Sequence, residues 1–398
     1  MLSEKVLTMT KQKSIIREIF EYGAQRAKEV GAENVFDFSI GNPSVPAPEA
    51  VDQAIYDIMK EQNPVERHGY APNAGIPEVR AKIAEFLNKK YGMDYTAQNI
   101  FMTNGAAASL GILFQLLKNG EHDQIITFAP YFPEYQAYAI SAGIDLKVIE
   151  ADVTAFQINF ELLEQTINKN TKAVLINSPN NPSGVVYSKE TIKRLAALLE
   201  EKQKEYGHPI YIISDEPYRE IVYDGFEVSY VPHFYDNTFV CYSYSKSLSL
   251  PGERIGYIAF SNKIAYADVM LGALTQSARL LSYVCVPSMF QKVVARCVDQ
   301  TADLSVYAKN KDLFYKALVD MGYECVEPGG AFYLFPKALG GDANEFCERA
   351  KKYDLLLVPS DSFGCPGHVR ISYCVDTDKI ERSLPLFKKL IEEYKGEK

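Results

Sequence analysis

Lys246 is the first residue whose position suggests chemistry. It follows an apolar run, residues 238–242, that is typical of a buried strand. A lysine amine can form a Schiff base with a carbonyl group when its surroundings keep it partly neutral. The cationic side chain of Arg254, eight residues later, would favour the neutral form. A solvent-exposed lysine on a surface loop is the alternative, because most lysines are exposed.

Asp215 follows another apolar run, residues 210–213. A carboxylate at the end of a buried strand either faces a cationic nitrogen or caps the next helix, and the sequence leaves both interpretations open. A pyridine nitrogen is one candidate partner, because pyridoxal phosphate needs an acidic group to keep that nitrogen protonated. Tyr218 lies three residues later, and its hydroxyl either donates to the same ligand or belongs to a half-buried core tyrosine.

Two further segments are rich in groups that bind polar ligands. Residues 177–184 form a turn with two prolines, which restrict the backbone so that Asn181 can point in one direction. Gly105 and Ala106 begin a predicted helix with small residues, and the free N–H groups of a helix start suit a phosphate. An ordinary turn and close helix packing are the alternatives. Neither segment has the spacing of a nucleotide-binding motif.

Arg370 lies in a predicted strand, residues 369–373, between Val369 and Ile371. An arginine in an apolar strand requires an anionic partner, because an unpaired buried charge is costly. A substrate carboxylate bound through two parallel hydrogen bonds would supply one. A structural ion pair is the alternative.

The elements that must position these residues are short apolar runs, which predict strands buried on both faces. The clearest runs are residues 125–128, 173–176, 210–213 and 238–242. Residues 188–206 predict a helix behind a Ser188 cap, and strand, helix and strand in that order predict a right-handed parallel crossover. Because ligands of open parallel sheets bind beyond the carboxyl ends of the strands, we expect the polar residues to share one site.

The sequence therefore predicts an α/β fold in which a large domain with a mostly parallel central sheet spans residues 47–280. Residues 281–398 contain a predicted helix at 306–321 and several short strands, which is typical of a smaller α+β domain. Residues 1–46 are too short for a domain. We expect them to form an arm that packs on the small domain or on a partner chain.

Composition excludes several classes of function. The 398 residues carry a net charge of −9 without a Lys/Arg-rich block, which argues against binding to nucleic acid or to an anionic membrane. No apolar run approaches the roughly 18 residues that span a bilayer, and the first residues lack the apolar region of a signal peptide. The seven cysteines and five histidines have no metal-ligand spacing. We therefore expect a cytoplasmic protein without a metal site.

The ordered set of motifs resembles the class I/II aminotransferases, which are fold type I pyridoxal-phosphate enzymes of the aspartate aminotransferase superfamily. The resemblance extends from Gly41 to Arg370 and depends on six motifs in order. It implies ping-pong transamination between an L-amino acid and a 2-oxo acid, with pyridoxal 5′-phosphate as cofactor. Aspartate or glutamate with 2-oxoglutarate are the candidate substrates, and a homodimer is the expected assembly.

The resemblance assigns the catalytic roles. Lys246 would bind the cofactor covalently and then move the proton between the substrate and the cofactor, while Asp215 would pair with the pyridine nitrogen. Asn181 and Tyr218 would donate to the 3′ oxygen. Several residues would hold the phosphate: Gly105, Ala106, Ser243, Ser245 and Arg254.

An aromatic ring would stack on the cofactor where many relatives have tryptophan. This chain contains no tryptophan, so the resemblance implies that Phe132 takes this place, with the neighbouring Tyr131 as the other option. Tyr70 would reach the phosphate of the partner's site across the subunit interface.

The substrate's α-carboxylate would bind Gly41, Asn181 and Arg370. Ala107 stands where some bacterial aspartate aminotransferases have a lysine for the distal carboxylate. Arg279, lent by the partner subunit, is then the candidate for that role.

Two alternatives share most of these residues. A C–S β-lyase differs mainly in what leaves the substrate, and an assay for transfer to a 2-oxo acid separates the two. A non-catalytic amino-acid-sensing domain of a transcription factor would carry a DNA-binding module ahead of the fold, and we expect the 40 residues before Gly41 to be too few for one. Such a descendant would also be expected to lose Lys246 or Asp215.

Overall fold

The computed structural model describes residues 2–11 and 14–396, and in these it contains fifteen α-helices and twelve strands. The helices are α1 (Glu4–Lys11), α2 (Ile15–Val30), α3 (Glu49–Glu61), α4 (Pro64–His68), α5 (Pro77–Tyr91), α6 (Ala106–Leu117), α7 (Glu134–Ala142), α8 (Phe160–Thr166), α9 (Lys189–Tyr206), α10 (Tyr244–Ser247), α11 (Ala267–Leu280), α12 (Ser288–Arg296), α13 (Ser305–Met321), α14 (Ala343–Lys351) and α15 (Thr377–Gly396). The strands are β1 (Phe36–Asp37), β2 (Ile100–Thr103), β3 (Gln124–Phe128), β4 (Asp145–Ile149), β5 (Thr171–Asn177), β6 (Tyr211–Asp215), β7 (Thr238–Ser243), β8 (Gly256–Phe260), β9 (Tyr333–Leu334), β10 (Leu355–Leu356), β11 (Val358–Pro359) and β12 (Val369–Ser372). None of the helices in the described ranges is long and apolar enough to cross a membrane.

The central sheet has the strand order β2-β8-β7-β6-β5-β3-β4. Strand β8 runs antiparallel to both of its neighbours, and the other strands are parallel. Every residue of β3, β6 and β7 is buried, as expected for strands that helices cover on both faces. The predicted α/β fold with a mostly parallel sheet is confirmed.

Helices cover both faces of this sheet and build its core. On one face, α6, α7 and α11 pack over side chains of the inner strands. On the other face, α8 and α9 cover one half and α3, α5 and α12 cover the other. The sheet is therefore rigid, and residues at its edge have well-defined positions.

Helix α9 illustrates how the local sequence sets an element. It begins after Ser188, whose side chain accepts a hydrogen bond from the Thr191 amide at 3.0 Å, and it ends at Gly207, which has a φ of 71°. Ile192, Leu195 and Leu199 recur on its buried face. The helix connects the parallel strands β5 and β6, as the pattern predicts.

The smaller part of the chain contains the antiparallel sheet β11-β12-β9 and the parallel pair β1-β10. Its core is built around Phe38, Phe314 and Phe387, with α13, α14 and α15 packed on the strands. The predicted helix at 306–321 is confirmed as α13. The predicted strands are shorter than the apolar runs, because loops interrupt them.

The predicted domain boundary after Leu280 does not coincide with the change in packing. Helix α12 lies beyond it and packs on α3 and α5, and Val293 and Val294 belong to the same core as Ile58. From Ala302 onward, most of the buried apolar side chains belong to the small core, and the others belong to two small clusters separate from the core of α12. We therefore propose a boundary near residue 300.

The N-terminal arm packs on the smaller part. Ile19 on α2 contacts a buried cluster with Leu356 and Val358, and Arg26 pairs with Asp354 at 2.6 Å. This contact corresponds to the first of the two positions expected for the arm.

Candidate active site

A cavity of about 300 Å³ opens at the carboxyl edge of the central sheet. Strands β5 and β6 end side by side at Asn177 and Asp215, and the Asn177 amide donates to the Asp215 backbone carbonyl at 2.8 Å. Strand β7 ends next to them at Ser243. Because β8 is antiparallel, Arg254, two residues before it, reaches the same edge.

Most of the predicted site residues line this cavity. They are Gly41, Ala106, Phe132, Asn181, Asp215, Tyr218, Ser243, Ser245, Lys246, Arg254 and Arg370. Gly105 lies directly behind the lining, since a Cβ on it would be 2.8 Å from Nη2 of Arg254. Ala107 also lines the cavity.

Lys246 lies on the short helix α10 and points into the cavity. Its Nζ donates to the Gly41 carbonyl at 2.6 Å. Burial, assisted by the neighbouring Arg254 and Arg370, lowers the pKa of Lys246 to about 8. A substantial fraction of the amine is therefore neutral near physiological pH, which a nucleophile requires.

The carboxyl group of Asp215 is buried, and its two oxygens differ in their hydrogen bonding. Its Oδ2 accepts a hydrogen bond from the Tyr135 hydroxyl at 2.6 Å, whereas its Oδ1 has no hydrogen-bond partner among the described residues. Burial, assisted by the neighbouring Glu216, raises the pKa of Asp215 to about 7. The carboxylate caps no helix, so a cationic N–H donor of a ligand is the partner that would satisfy Oδ1 and stabilise the charge.

Asp215→Asn should stabilise the cofactor-free protein. The folded carboxyl keeps its proton up to about pH 7, whereas its ordinary pKa is 3.8. The cost of burying the charge therefore grows between these pH values and is complete above pH 7. We expect the variant to gain up to about 4 kcal/mol in free energy of unfolding at pH 8, and less at pH 5. Urea unfolding at the two pH values measures both quantities.

Asp224→Asn is the control for this prediction, since Asp224 is exposed. It should change the free energy of unfolding little at either pH. If the Asp215→Asn variant were only as stable as the wild type at both pH values, the prediction that the ionised Asp215 carboxylate destabilises the folded protein would be contradicted.

A second part of the cavity is shaped for an anion. Gly105, with a φ of 82°, precedes α6, and its side-chain-free position leaves the start of this helix without a side-chain cap, so that a ligand can meet its first amides. The Ser243 and Ser245 hydroxyls lie 2.8 Å apart, and Nη1 of Arg254 lies 3.4 Å from the Ser245 Oγ. Backbone amides, two hydroxyls and a guanidinium form a typical phosphate-binding set.

Arg370 is buried without an acidic partner. Its Nη1 donates to Oδ1 of Asn181 at 3.0 Å, and its Nη2 donates to the Ser39 carbonyl. Its guanidinium contacts the rings of Tyr333 and Phe363, with its central carbon 4.8 Å and 5.2 Å from the two ring centres. No acidic side chain lies within salt-bridge distance of it in residues 2–11 and 14–396, so a structural ion pair is not found there. Its charge is available to a ligand carboxylate.

The structure distinguishes the two candidate aromatic residues. Phe132 lines the cavity and packs edge-on against Tyr135 at 5.8 Å. Tyr131 is buried against Gly364 instead and does not line the cavity. Phe132 is therefore the ring that can stack on a planar ligand.

Sequence reasoning missed the functional positions of Asn177, Tyr135 and Tyr333. Asn177 carries a visible signal, because it ends a buried strand as Asp215 does. Tyr333 lines the cavity, and its hydroxyl lies 2.9 Å from that of Tyr218. Nothing in the local pattern distinguishes it from a core tyrosine, because the contact joins residues 115 positions apart.

Tyr70 and Arg279 do not line the cavity of their own chain. Tyr70 is 96% exposed. Arg279 is also exposed, and its guanidinium donates to Gln276 at 2.8 Å. The roles expected for both residues in a neighbouring site stay predictions.

The chain is similar in sequence and in structure to known aminotransferases. The model of the family "Aminotransferase class I and II" matches residues 33–385. Aspartate aminotransferase of Thermotoga maritima is 33% identical over 88% of this chain and 90% of its own length. The crystal structure of an amino transferase from Eubacterium rectale is 53% identical, with a TM-score of 0.96 over 99% of both chains. Thermus thermophilus aspartate aminotransferase, solved with maleate, is 26% identical, with a TM-score of 0.86 over 98% of this chain and 99% of the other.

Proposed function

The chain belongs to the class I and II aminotransferases, and from this premise we propose that it transfers an amino group between an L-amino acid and a 2-oxo acid by using pyridoxal 5′-phosphate. One observation carries the proposal. A single cavity holds an amine with a lowered pKa, on Lys246, and a buried carboxylate oxygen without a partner, on Asp215. These are the two groups that a pyridine aldehyde needs at opposite ends of its ring.

The remaining cavity groups fit the same cofactor. The set around Gly105, Ser243 and Arg254 suits its phosphate, and the Phe132 ring suits its flat face. The amide of Asn181 and the hydroxyl of Tyr218 line the cavity and would meet the phenolic oxygen. When bound, this cofactor supplies an electron sink for the charge that develops on the substrate carbon.

The chain's own residues would orient the substrate and move its proton. Arg370 would bind the α-carboxylate and so select which bond of the substrate carbon is weakened. Lys246, once released from the cofactor, is the amine that would take up the proton and return it. Asp215 would remain ionised opposite a pyridinium nitrogen and keep that nitrogen protonated.

Dicarboxylic substrates are supported by charge and by the relatives. Lys246, Arg254 and Arg370 give the cavity three basic side chains against one unpaired acid, Asp215. The Thermotoga and Thermus relatives are named aspartate aminotransferases, and the Thermus structure contains the dicarboxylate maleate. We therefore propose aspartate or glutamate as amino donors, with 2-oxoglutarate as acceptor.

A homodimer is part of the same proposal. Tyr70 and Val65, which are 96% and 81% exposed, lie together on an open surface, as expected for residues that a second copy covers. Tyr70 would then reach the partner's phosphate site. We also propose a cytoplasmic location, which the seven unpaired cysteines support.

Absorbance spectra of the purified protein with pyridoxal phosphate test the function. A visible band that glutamate or aspartate converts to the amine form of the cofactor, with transfer to 2-oxoglutarate, is expected. Release of pyruvate and ammonia from cystathionine or cysteine would instead favour a C–S lyase. A protein without any band would overturn the assignment of the cofactor.

Arg279→Ala tests the source of dicarboxylate specificity. If Arg279 binds the distal carboxylate in the partner's site, its loss should lower kcat/KM for aspartate by about 10- to 100-fold, because a charge-assisted contact is removed. Steady-state kinetics with aspartate and with an amino acid that lacks the second carboxylate measure this. The second substrate should react unchanged.

Arg194→Ala is a suitable control, since Arg194 is exposed on α9, away from the cavity. It should leave both substrates unaffected. Equal kinetics of Arg279→Ala and the wild type on aspartate would remove Arg279 from the site.

A further inference from the structure

Tyr218 and Tyr333 form a buried pair of hydroxyls inside the cavity. The two oxygens are 2.9 Å apart, and both side chains line the cavity. The rings meet edge to face, with centroids 5.8 Å apart, so their relative orientation is held by packing. Tyr333 belongs to β9, and Tyr218 follows β6, so the pair joins the small part of the chain to the large sheet.

The two hydroxyls face different parts of the cavity. Tyr218 follows Asp215 and lies where we propose that the phenolic oxygen of the cofactor binds. Tyr333 lies at the carboxylate end, because its ring stacks on the Arg370 guanidinium at 4.8 Å and a Cβ on Gly41 would overlap its hydroxyl. The requirement for glycine at position 41 is therefore explained by the Tyr333 hydroxyl.

The two hydroxyl protons limit how many hydrogen bonds the Tyr218–Tyr333 pair can donate to a ligand. Each phenol has one O–H proton, and one of the two protons is used in the hydrogen bond between them. The pair can therefore donate only one hydrogen bond to a ligand, either from Tyr218 or from Tyr333. When Tyr218 donates outward, Tyr333 donates to Tyr218, and when Tyr333 donates outward, Tyr218 must donate to Tyr333.

We propose that this pair links the carboxylate site to the cofactor, with Tyr333 as a positioning residue. Without substrate, Tyr333 donates to Tyr218, and Tyr218 donates to the phenolic oxygen. A carboxylate bound at Arg370 accepts the Tyr333 proton, the bond between the hydroxyls reverses, and Tyr218 withdraws its donation. The inference deepens the proposed function and rests on it.

The reversal has a measurable electrostatic consequence. A donor at the phenolic oxygen stabilises negative charge there and so makes the adjacent Lys246 nitrogen, in its bond to the cofactor, less basic. Loss of the donor raises the pKa of that nitrogen. Groups facing Lys246 are Arg254, Arg370 and Cys374. Arg370 faces both tyrosines, while Asp215 faces Tyr218 and Cys374 faces Tyr333. A change of Tyr333 to phenylalanine leaves all of these in place.

The test is a pH titration of the visible absorbance of the cofactor-loaded protein, with and without maleate. Maleate has two carboxylates but no amino group, so it binds without reacting. In the wild type, we expect maleate to raise the midpoint of the titration. In Tyr333→Phe, this shift should fall by about 0.5–1 pH unit, the effect of one hydrogen bond.

Two further variants make the result specific. Tyr218→Phe removes the other hydroxyl, and we expect a raised midpoint without maleate and a reduced shift with it. Tyr373→Phe is the matched control, because its hydroxyl bonds that of Tyr223 at 3.0 Å in the same core but does not line the cavity. It should behave as the wild type does.

The outcomes separate this inference from the proposed function. An unchanged maleate shift in Tyr333→Phe would overturn the inference alone, and if that variant does not fold, an unchanged shift in Tyr218→Phe would do the same. A wild-type protein that forms no visible band would overturn the proposed function and the inference together.

Discussion

Lys246→Ala should abolish the visible band formed with pyridoxal phosphate and should lower the rate of amino transfer by at least about 10³-fold. The expected loss is large because one amine has two tasks: it binds the cofactor, and it moves the substrate proton. No other amine lines the described part of the cavity, since Arg254 and Arg370 are its other cationic side chains and arginine does not lose its proton. Spectra and single-turnover kinetics measure the two effects separately.

Lys246→Arg is the matched variant for this prediction. It keeps the positive charge near the Gly41 carbonyl but provides no neutral amine, so it should lack the band as Lys246→Ala does. Circular dichroism should show that both variants are folded. A normal band in either variant would contradict the role of Lys246.

Asp215→Asn should lower the rate of amino transfer by about 10²–10³-fold, although it should make the cofactor-free protein more stable. The amide has the shape of the carboxyl but no charge, so it cannot keep a pyridine nitrogen protonated. The loss should appear in the rate of the chemical step, measured in single turnovers with saturating glutamate. The position of Oδ1, buried and without a partner, is the structural reason for this expectation.

The exposed Asp224→Asn variant serves again as the control, and it should retain normal rates. If Asp215→Asn is more stable without cofactor but transfers amino groups slowly, the Asp215 charge lowers the free energy of unfolding and is needed for catalysis. Normal turnover of Asp215→Asn would show that the carboxylate does not act on the cofactor.

Much of the large part of the fold could be predicted from local patterns. The apolar runs that end near Asp215 and Ser243 are strands β6 and β7, and the spacing behind Ser188 is that of α9. Burial of a strand on both faces and capping of a helix are set by neighbouring residues, so they are visible in the sequence. The boundary that we propose near residue 300 differs from the one expected after Leu280, because contacts distant in sequence join α12 to the large core.

The candidate site was predictable where chain connectivity brings residues together. Asp215 ends β6 and Lys246 follows β7, and parallel strands place their carboxyl ends at one edge of a sheet. Arg370 could be identified as unusual because it interrupts an apolar strand. Whether Arg370 has an acidic partner, in contrast, cannot be seen in the local sequence, because any element of the fold could place a carboxylate beside it.

The sequence by itself determined the sheet, the family resemblance and most residues that line the cavity, because each follows from short-range patterns or motif order. Tertiary structure alone decided that Tyr135 donates to Asp215 across 80 residues and that Tyr333 meets Tyr218 across 115. It also decided that Phe132 rather than Tyr131 faces the cavity. Hydrogen bonds act over about 3 Å, so these contacts exist only when separate elements have packed.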